Sequence, residues 1–283
     1  MSETRQAIVE RATRLTRERI GPRAPLYDRE ARNPVESWRD LWGGGLLGIA
    51  IPAAHGGLGA DVPTYLGVID AIARGCASTA MTLHMHSTVM RFVAALGTAA
   101  QQARYFREVI ERGTLFGSWG SEPAVSQSRT FLVETSLRAS AGGFVVDGLK
   151  HFCTMAGGAG YYMVWCALEG DPDVARSVSL VLVPADTPGI AIQGTWDTLG
   201  MRGTYSPTVQ LKDCRVDRDT KIGDPGMAMR IGVAEMFALG YAAIYVGIAQ
   251  GALDFALEYC KTRTYRPDPA PIAHEPTVQR HLG

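Results

Sequence analysis

The sequence predicts an α+β protein of several domains: an N-terminal helical domain over 1–113, a middle β-sandwich or barrel over 114–224, and the start of a C-terminal helical bundle over 225–283. Three observations carry this. Up to Arg112 apolar residues recur at helical spacing. From Leu115 to Leu211 the texture changes to short alternating runs cut by glycine and proline, which reads as strands joined by turns. Beyond Gly226 the helical period returns and lasts to Tyr259. A chain of 283 residues is also longer than one hydrophobic core usually serves.

Taken in order, residues 4–20 form a charged helix with Ile8, Ala12, Leu15 and Ile20 as a sparse apolar stripe. Gly21-Pro22 predicts a break, and Val35 to Trp42 a second helix. Gly43-Gly44-Gly45 punctuates before the apolar run Leu46 to Pro52. An amphipathic helix follows from Pro63 to Gly75, then Ser78 to Leu96, apolar on nearly every face and so a buried helix. Gly97-Thr98 ends that helix and caps the next, Ala99 to Arg112. Strands are predicted at 115–119, 135–139, 143–148, 161–168, 178–183 and 209–211. Met227 to Tyr259 is a long alanine-rich helix, Tyr265 to Pro271 a proline turn between helices, and Pro276 to Gly283 the opening of a helix without its later turns. That last feature predicts a fragment, or a subunit completed by another chain.

Composition narrows the function. Lysine plus arginine and aspartate plus glutamate number 28 each, so no global field draws the chain to nucleic acid or anionic membrane. Apolar windows are interrupted by glycine, histidine or arginine before the roughly 20 residues of a bilayer span, and the charged N-terminus lacks a signal-peptide core. Five dispersed cysteines without a Cys-x-x-Cys pair read as thiols in a reducing, cytoplasmic compartment, not as a metal site.

The obvious chemical motifs mostly dissolve. Gly43-x-Gly45-x-x-Gly48 matches a dinucleotide fingerprint in letters only, because it follows a helix and has no βαβ unit around it. His84 and His86 are two apart on a helix, so they point to different faces and read as satisfied buried histidines beside a pocket. No nucleophile elbow singles out a serine. Trp165 and Trp196 are expected in the core. Two runs remain, Ser118-Trp119-Gly120-Ser121-Glu122-Pro123 and Lys150-His151-Phe152-Cys153-Thr154, each placing a hydroxyl at a strand end where it can meet the edge of a flat heterocycle.

Together with Gly56-Gly57-Leu58-Gly59, Leu199-Gly200-Met201-Arg202 and Gly247-Ile248-Ala249-Gln250-Gly251, these runs resemble the acyl-CoA dehydrogenase family of flavoproteins, in the family's order, from about Trp38 to the last residue. The resemblance implies an FAD-dependent oxidoreductase of fatty acid metabolism, assembled as a homo-oligomer, that passes electrons to an electron-transfer flavoprotein. It implies that Ser121 holds the pyrimidine edge of FAD, that Phe152 lies by the flavin, that Thr154 meets N5, and that Trp119 and Cys153 join the cofactor contacts. It also implies that Arg263 reaches the FAD diphosphate of a neighbouring subunit, as a guanidinium fork suits a phosphate.

The pattern also departs from the family. After Glu-Pro the chain has Ala124 to Arg129, where Ser126 and Ser128 are candidates for the missing substrate-binding serine. Ala238 stands where an arginine commonly contacts coenzyme A, and Phe237 where a minority of members carry a glutamate base. Glu235 is read as a polar contact at the ligand mouth, or as a first-turn glutamate favoured by the helix dipole. The expected reaction is α,β-dehydrogenation of an acyl thioester with hydride transfer to N5. The rivals are a flavin monooxygenase on the same scaffold and a non-catalytic partner that kept the fold.

Overall fold

The computed structural model describes residues 3–123, 125, 133–170, 177–231 and 233–282, with the side chains of 233–236 outside that description. Ser126, Ser128 and the side chain of Glu235 therefore lie outside the described residues.

Helices build the first third: α1 (Arg5–Leu15), α2 (Gly21–Glu30), α3 (Val35–Gly43), α4 (Val62–Ala73), α5 (Ala77–Leu96) and α6 (Ala99–Arg112). The break expected at Gly21-Pro22 does not occur. A π-turn at Thr16–Ile20 links α1 to α2, and Pro22 sits in the first turn of α2, where its missing N–H costs little. Two glycines meet at this point. The Cα of Gly21 lies only 3.3 Å from where a side chain on Gly75 would begin, so the two backbones pass in contact. Thr98 caps α6 as expected, in a capping box with Gln101.

The middle of the chain forms an eight-stranded sheet from β1 (Phe116–Trp119), β2 (Ser136–Ala139), β3 (Gly143–Lys150), β4 (Tyr161–Leu168), β5 (Val178–Pro184), β6 (Ile190–Gln193), β7 (Thr208–Asp217) and β8 (Lys221–Ile222). The order is β6-β7-β3-β2-β4-β5-β8, with β1 pairing parallel to β4. Strands β6 and β8 escape the sequence pattern because β6 is mostly exposed and β8 is two residues long. Every residue of β1 is buried.

Helix α7 (Val233–Thr262) then crosses back over α4 and α5, and α8 (Pro276–Leu282) follows the proline turn. Glycines seat α7. A side chain at Gly247 would begin 2.6 Å from the Asp70 carbonyl oxygen, and one at Gly251 would begin 2.4 Å from that of Arg74. Tyr245, Val246 and Phe255 of α7 are each more than 60% exposed. The segment Phe237–Thr262, 26 residues whose most apolar 18-residue stretch has a mean hydropathy of 1.2, is by length and composition long and apolar enough to cross a bilayer, which corrects the expectation that the apolar stretches are interrupted first. Helix α5 is the centre of the molecule, packed between α4, α7 and β1, and buries Leu83, Val89, Met90, Phe92 and Val93 completely.

Candidate functional site

The two hydroxyl-bearing runs meet at a buried ion pair. Lys150, at the end of β3, is fully buried and donates to Glu122 at 2.7 Å, to the Trp165 carbonyl at 2.6 Å and to the Gly120 carbonyl at 3.2 Å. An ammonium has three hydrogens, and all three are used. Glu122 in turn accepts from the Thr135 amide at 3.0 Å, the Thr135 hydroxyl at 2.6 Å and the Glu134 amide at 2.6 Å. Burial pushes the Glu122 carboxyl up, but the Lys150 charge and these donors together hold it below its ordinary value. The His151 amide bonds the Ser121 carbonyl at 2.8 Å and closes the junction.

Beyond this anchor the chain turns sharply. Phe152 and Met155 both adopt positive φ, at 53° and 65°, an uncommon conformation for side-chain-bearing residues that persists only where neighbours enforce it. Between them, Thr154 is pinned at its carbonyl by the Trp119 indole at 3.1 Å and at its hydroxyl by Ser206 at 3.0 Å. The Cys153 amide bonds the Pro207 carbonyl, and the Met155 amide that of Thr204.

Thr154 opens onto a cavity of about 620 Å³. One wall, from the sheet and its loops, carries Ser118, Gly120, Ser121, Thr154, Thr204 and Ser206. The facing wall, from α5 and α7, carries Met81, Met85, Phe237, Tyr241 and Tyr245. Phe152 (56% exposed) and Trp196 meet edge to face at the rim, with ring centroids 6.0 Å apart. Among the described lining residues there is no carboxylate, no lysine or arginine and no histidine.

Of the candidate residues, Ser121, Phe152 and Thr154 reach the cavity. The Trp119 and Cys153 side chains do not: both are buried behind it, Trp119 stacked on Tyr162 at 3.7 Å. Arg263 lies just past the end of α7, exposed and over the Tyr265 ring at 4.7 Å. At about 1.5 Å per residue it stands roughly 27 Å along the helix from Tyr245, so it does not join this chain's own cavity. Trp196, expected in the core, lines the cavity instead, because the loop carrying it folds over the site. Sequence reasoning passed over Met81 with Met85, and Tyr241 with Tyr245, and noted Phe237 only as the residue at a base position. The available signal was their spacing of four on one face of each helix.

The histidines behave as satisfied core residues. His86 accepts from the Phe116 amide at 3.1 Å and donates to the Leu47 carbonyl at 3.1 Å. His84 bonds the Tyr65 hydroxyl at 2.6 Å and the Phe237 carbonyl at 3.2 Å. Burial lowers both to about 4, so both are neutral near pH 7. All five cysteines are unpaired, and burial raises the thiols of Cys76, Cys153, Cys166 and Cys214. No cluster of metal-ligating side chains occurs among the described residues.

Comparison with known proteins agrees with this architecture. The family model for the acyl-CoA dehydrogenase N-terminal domain matches residues 2–112, and that for the acyl-CoA dehydrogenase middle domain matches residues 117–214. The chain belongs to the acyl-CoA dehydrogenase family. It is 28% identical to the mitochondrial short-chain specific acyl-CoA dehydrogenase of Homo sapiens over 93% of this chain and 64% of that protein. It is 29% identical to the dibenzothiophene monooxygenase of Rhodococcus erythropolis over 96% of this chain and 65% of that protein. Among solved structures, TdsC from Paenibacillus sp. A11-2, in complex with FMN and indole, superposes with a TM-score of 0.84 at 25% identity, over 98% of this chain and 71% of that one. The chain thus spans just under two thirds of the length of these two curated relatives.

Proposed function

We propose that this chain holds the flavin site of an FAD-dependent oxidoreductase that dehydrogenates an acyl thioester between its α and β carbons. The observation that carries this reading is Thr154, held at its carbonyl by Trp119 and at its hydroxyl by Ser206, and open to a cavity with one hydroxyl-lined and one apolar wall. The donor set fits a flat heteroaromatic ring: neutral hydroxyls for its polar edge, and methionine and aromatic surfaces for its faces. Bound flavin supplies the acceptor for a hydride. Ser118 and Ser121 would hold its polar edge, and Thr154 would donate at the ring nitrogen where negative charge accumulates. Phe152 and Trp196 would shield the site from water. Trp119 and Cys153 act behind the wall, by holding the Thr154 loop, and Arg263 would serve the diphosphate of a second copy in a homo-oligomer. The site falls where the helical part (1–113), the β part (114–224) and the second helical part (225–283) converge.

The base that removes the α-proton is not among the described lining residues. Ser126, Ser128 and Glu235 are proposed as substrate contacts, and an electron-transfer flavoprotein is the proposed electron acceptor. The test is an absorbance spectrum after incubation with FAD and desalting, followed by anaerobic titration with acyl-CoA thioesters. Retained flavin bands that bleach on titration are expected. Retained flavin that no thioester bleaches would sink the dehydrogenation reading.

One observation favours a second reading, oxygenation of an uncharged aromatic or sulfur compound by reduced flavin. The described cavity wall has no cation for coenzyme A phosphates and no carboxylate, and Phe237 and Ala238 stand where a base and an arginine are expected in dehydrogenases. Oxygen uptake dependent on reduced flavin and such a compound would decide for it.

A further inference from the structure

Behind Thr154 lies a chain of hydroxyls. The turn Arg202–Thr204, flanked by positive φ at Met201 and Tyr205, brings Thr204 and Ser206 under the Thr154 loop. Arg202 fixes that turn through the Asp28 carbonyl at 2.8 Å, the Thr198 carbonyl at 3.2 Å and the Asp197 carboxylate. The Thr204 and Ser206 hydroxyls are 2.7 Å apart, Ser206 is 3.0 Å from the Thr154 hydroxyl, and Thr204 is 2.8 Å from the Met201 carbonyl. All three hydroxyl residues are at least nine-tenths buried.

The hydrogens do not suffice for every contact. Three hydroxyls carry three hydrogens, whereas four places want one: Met201 O, the Thr204–Ser206 contact, the Ser206–Thr154 contact and the cavity beyond Thr154. If Thr204 donates to Met201, Ser206 to Thr204 and Thr154 to Ser206, then Thr154 offers the cavity a lone pair. If the chain runs the other way, Ser206 donates to Thr154, Thr154 donates into the cavity, and only Met201 O loses a hydrogen. That carbonyl still accepts the Thr204 amide at 3.0 Å and the Trp196 indole at 3.2 Å, so reversal leaves no buried group unpaired.

We propose that Ser206 and Thr204 are positioning residues that let Thr154 present either a donor or an acceptor to the cavity. The proposal rests on the reading of Thr154 as facing a flavin ring nitrogen. That nitrogen accepts a hydrogen bond when the ring is oxidised and donates one after two-electron reduction. A reversible chain serves both forms; a lone, fixed donor serves only the first. Hydrogen bonds in such a chain also strengthen one another, so Ser206 acts on the cavity through Thr154.

The test is the affinity for oxidised FAD and, under anaerobic conditions, for chemically reduced FAD, measured spectroscopically on the intact chain. Thr204→Val removes the acceptor to which Ser206 otherwise donates, and so locks Thr154 as a donor. It is expected to lower the affinity for reduced relative to oxidised flavin by about three- to tenfold, and a tenfold change is a fall of about 30 mV in the bound midpoint potential. Ser206→Ala is expected to weaken both forms by about three- to tenfold in the parent chain, and to have no further effect in Thr154→Val. An unchanged affinity ratio in Thr204→Val, or equal losses from Ser206→Ala with and without the Thr154 hydroxyl, overturns the proposal. If Thr154→Val leaves the affinity for both forms unchanged, or the parent chain retains no flavin, the site reading itself falls, and the proposal with it.

Discussion

The two walls of the cavity are built on opposite principles. The sheet wall is polar and over-determined: the Glu122–Lys150 pair, the positive-φ turns at Phe152 and Met155, and the Thr204–Ser206–Thr154 hydroxyls fix it by directional bonds. The helical wall of Met81, Met85, Phe237, Tyr241 and Tyr245 is fixed by packing, with His84 as a polar tie, bonded to the Phe237 carbonyl and edge-on to Tyr241 at 5.2 Å. Directional bonds hold reacting groups to a fraction of an ångström; packing of methionine and aromatic rings sets shape and can adapt to the ligand. On the proposed function, chemistry belongs to the first wall and selectivity to the second.

The largest expected effect breaks the polar wall. Lys150→Met leaves Glu122 buried and unpaired and should cost about 3–5 kcal/mol of unfolding free energy by urea denaturation. Lys150→Met with Glu122→Gln should cost less than the single change, since no buried charge remains. If the double variant is no better, the pair is not the anchor of that wall.

Acid should loosen the layer between the walls. The folded pKa of His86 is depressed to about 4 by burial, against an ordinary value of about 6.5 when unfolded. Between those values the unfolded chain binds the extra proton, so this contribution is intact above pH 6.5 and is lost as pH falls toward 4. It amounts to at most about 3 kcal/mol. The same direction holds for His84 and for the depressed carboxyl of Glu122 in its lower range. Melting temperature across pH 4–7 checks it, and a flat profile would contradict the neutral, buried state of these rings.

A smaller effect probes the apolar wall. A side chain on Gly240 would begin 2.1 Å from the His84 ring, so Gly240→Ala should push α7 outward and cost about 1–3 kcal/mol. The pair His84→Ala with Gly240→Ala should cost less than the two single changes added together, because the added methyl then enters the space the ring left. Strict additivity would show that the ring does not set the position of α7. The smallest effect on stability is expected at the rim: Phe152→Ala, at a 56% exposed position, should change stability by less than about 0.5 kcal/mol while weakening flavin retention on desalting.

Much of the fold was legible because its signals are local. The capping box at Thr98, the continuous apolar run of β4 and the near-continuous burial of α5 each follow from neighbours a few residues apart. The failures are equally instructive. The Gly21-Pro22 break did not form, because a π-turn and a backbone contact with Gly75 absorb what proline alone would disrupt. Strand β6 carries little alternation because most of it faces solvent, and only pairing with β7 makes it a strand.

In the site, the sequence by itself determined the polar elements: Ser121, Glu122, Lys150 and Thr154 occur in two compact runs, since groups that must bond one another at fixed distances cluster at strand ends. Tertiary structure alone decided which of them face the cavity. Trp119 and Cys153 turn inward, Trp196 turns outward, and Ser206 comes within 3.0 Å of Thr154 across 52 positions. It also decided the apolar wall, because the methionine and aromatic residues of a core helix have the same letters whether they meet another side chain or an open space. Only the packing of α7, set by Gly240 against α5 and by Gly247 and Gly251 against the end of α4, distinguishes the two.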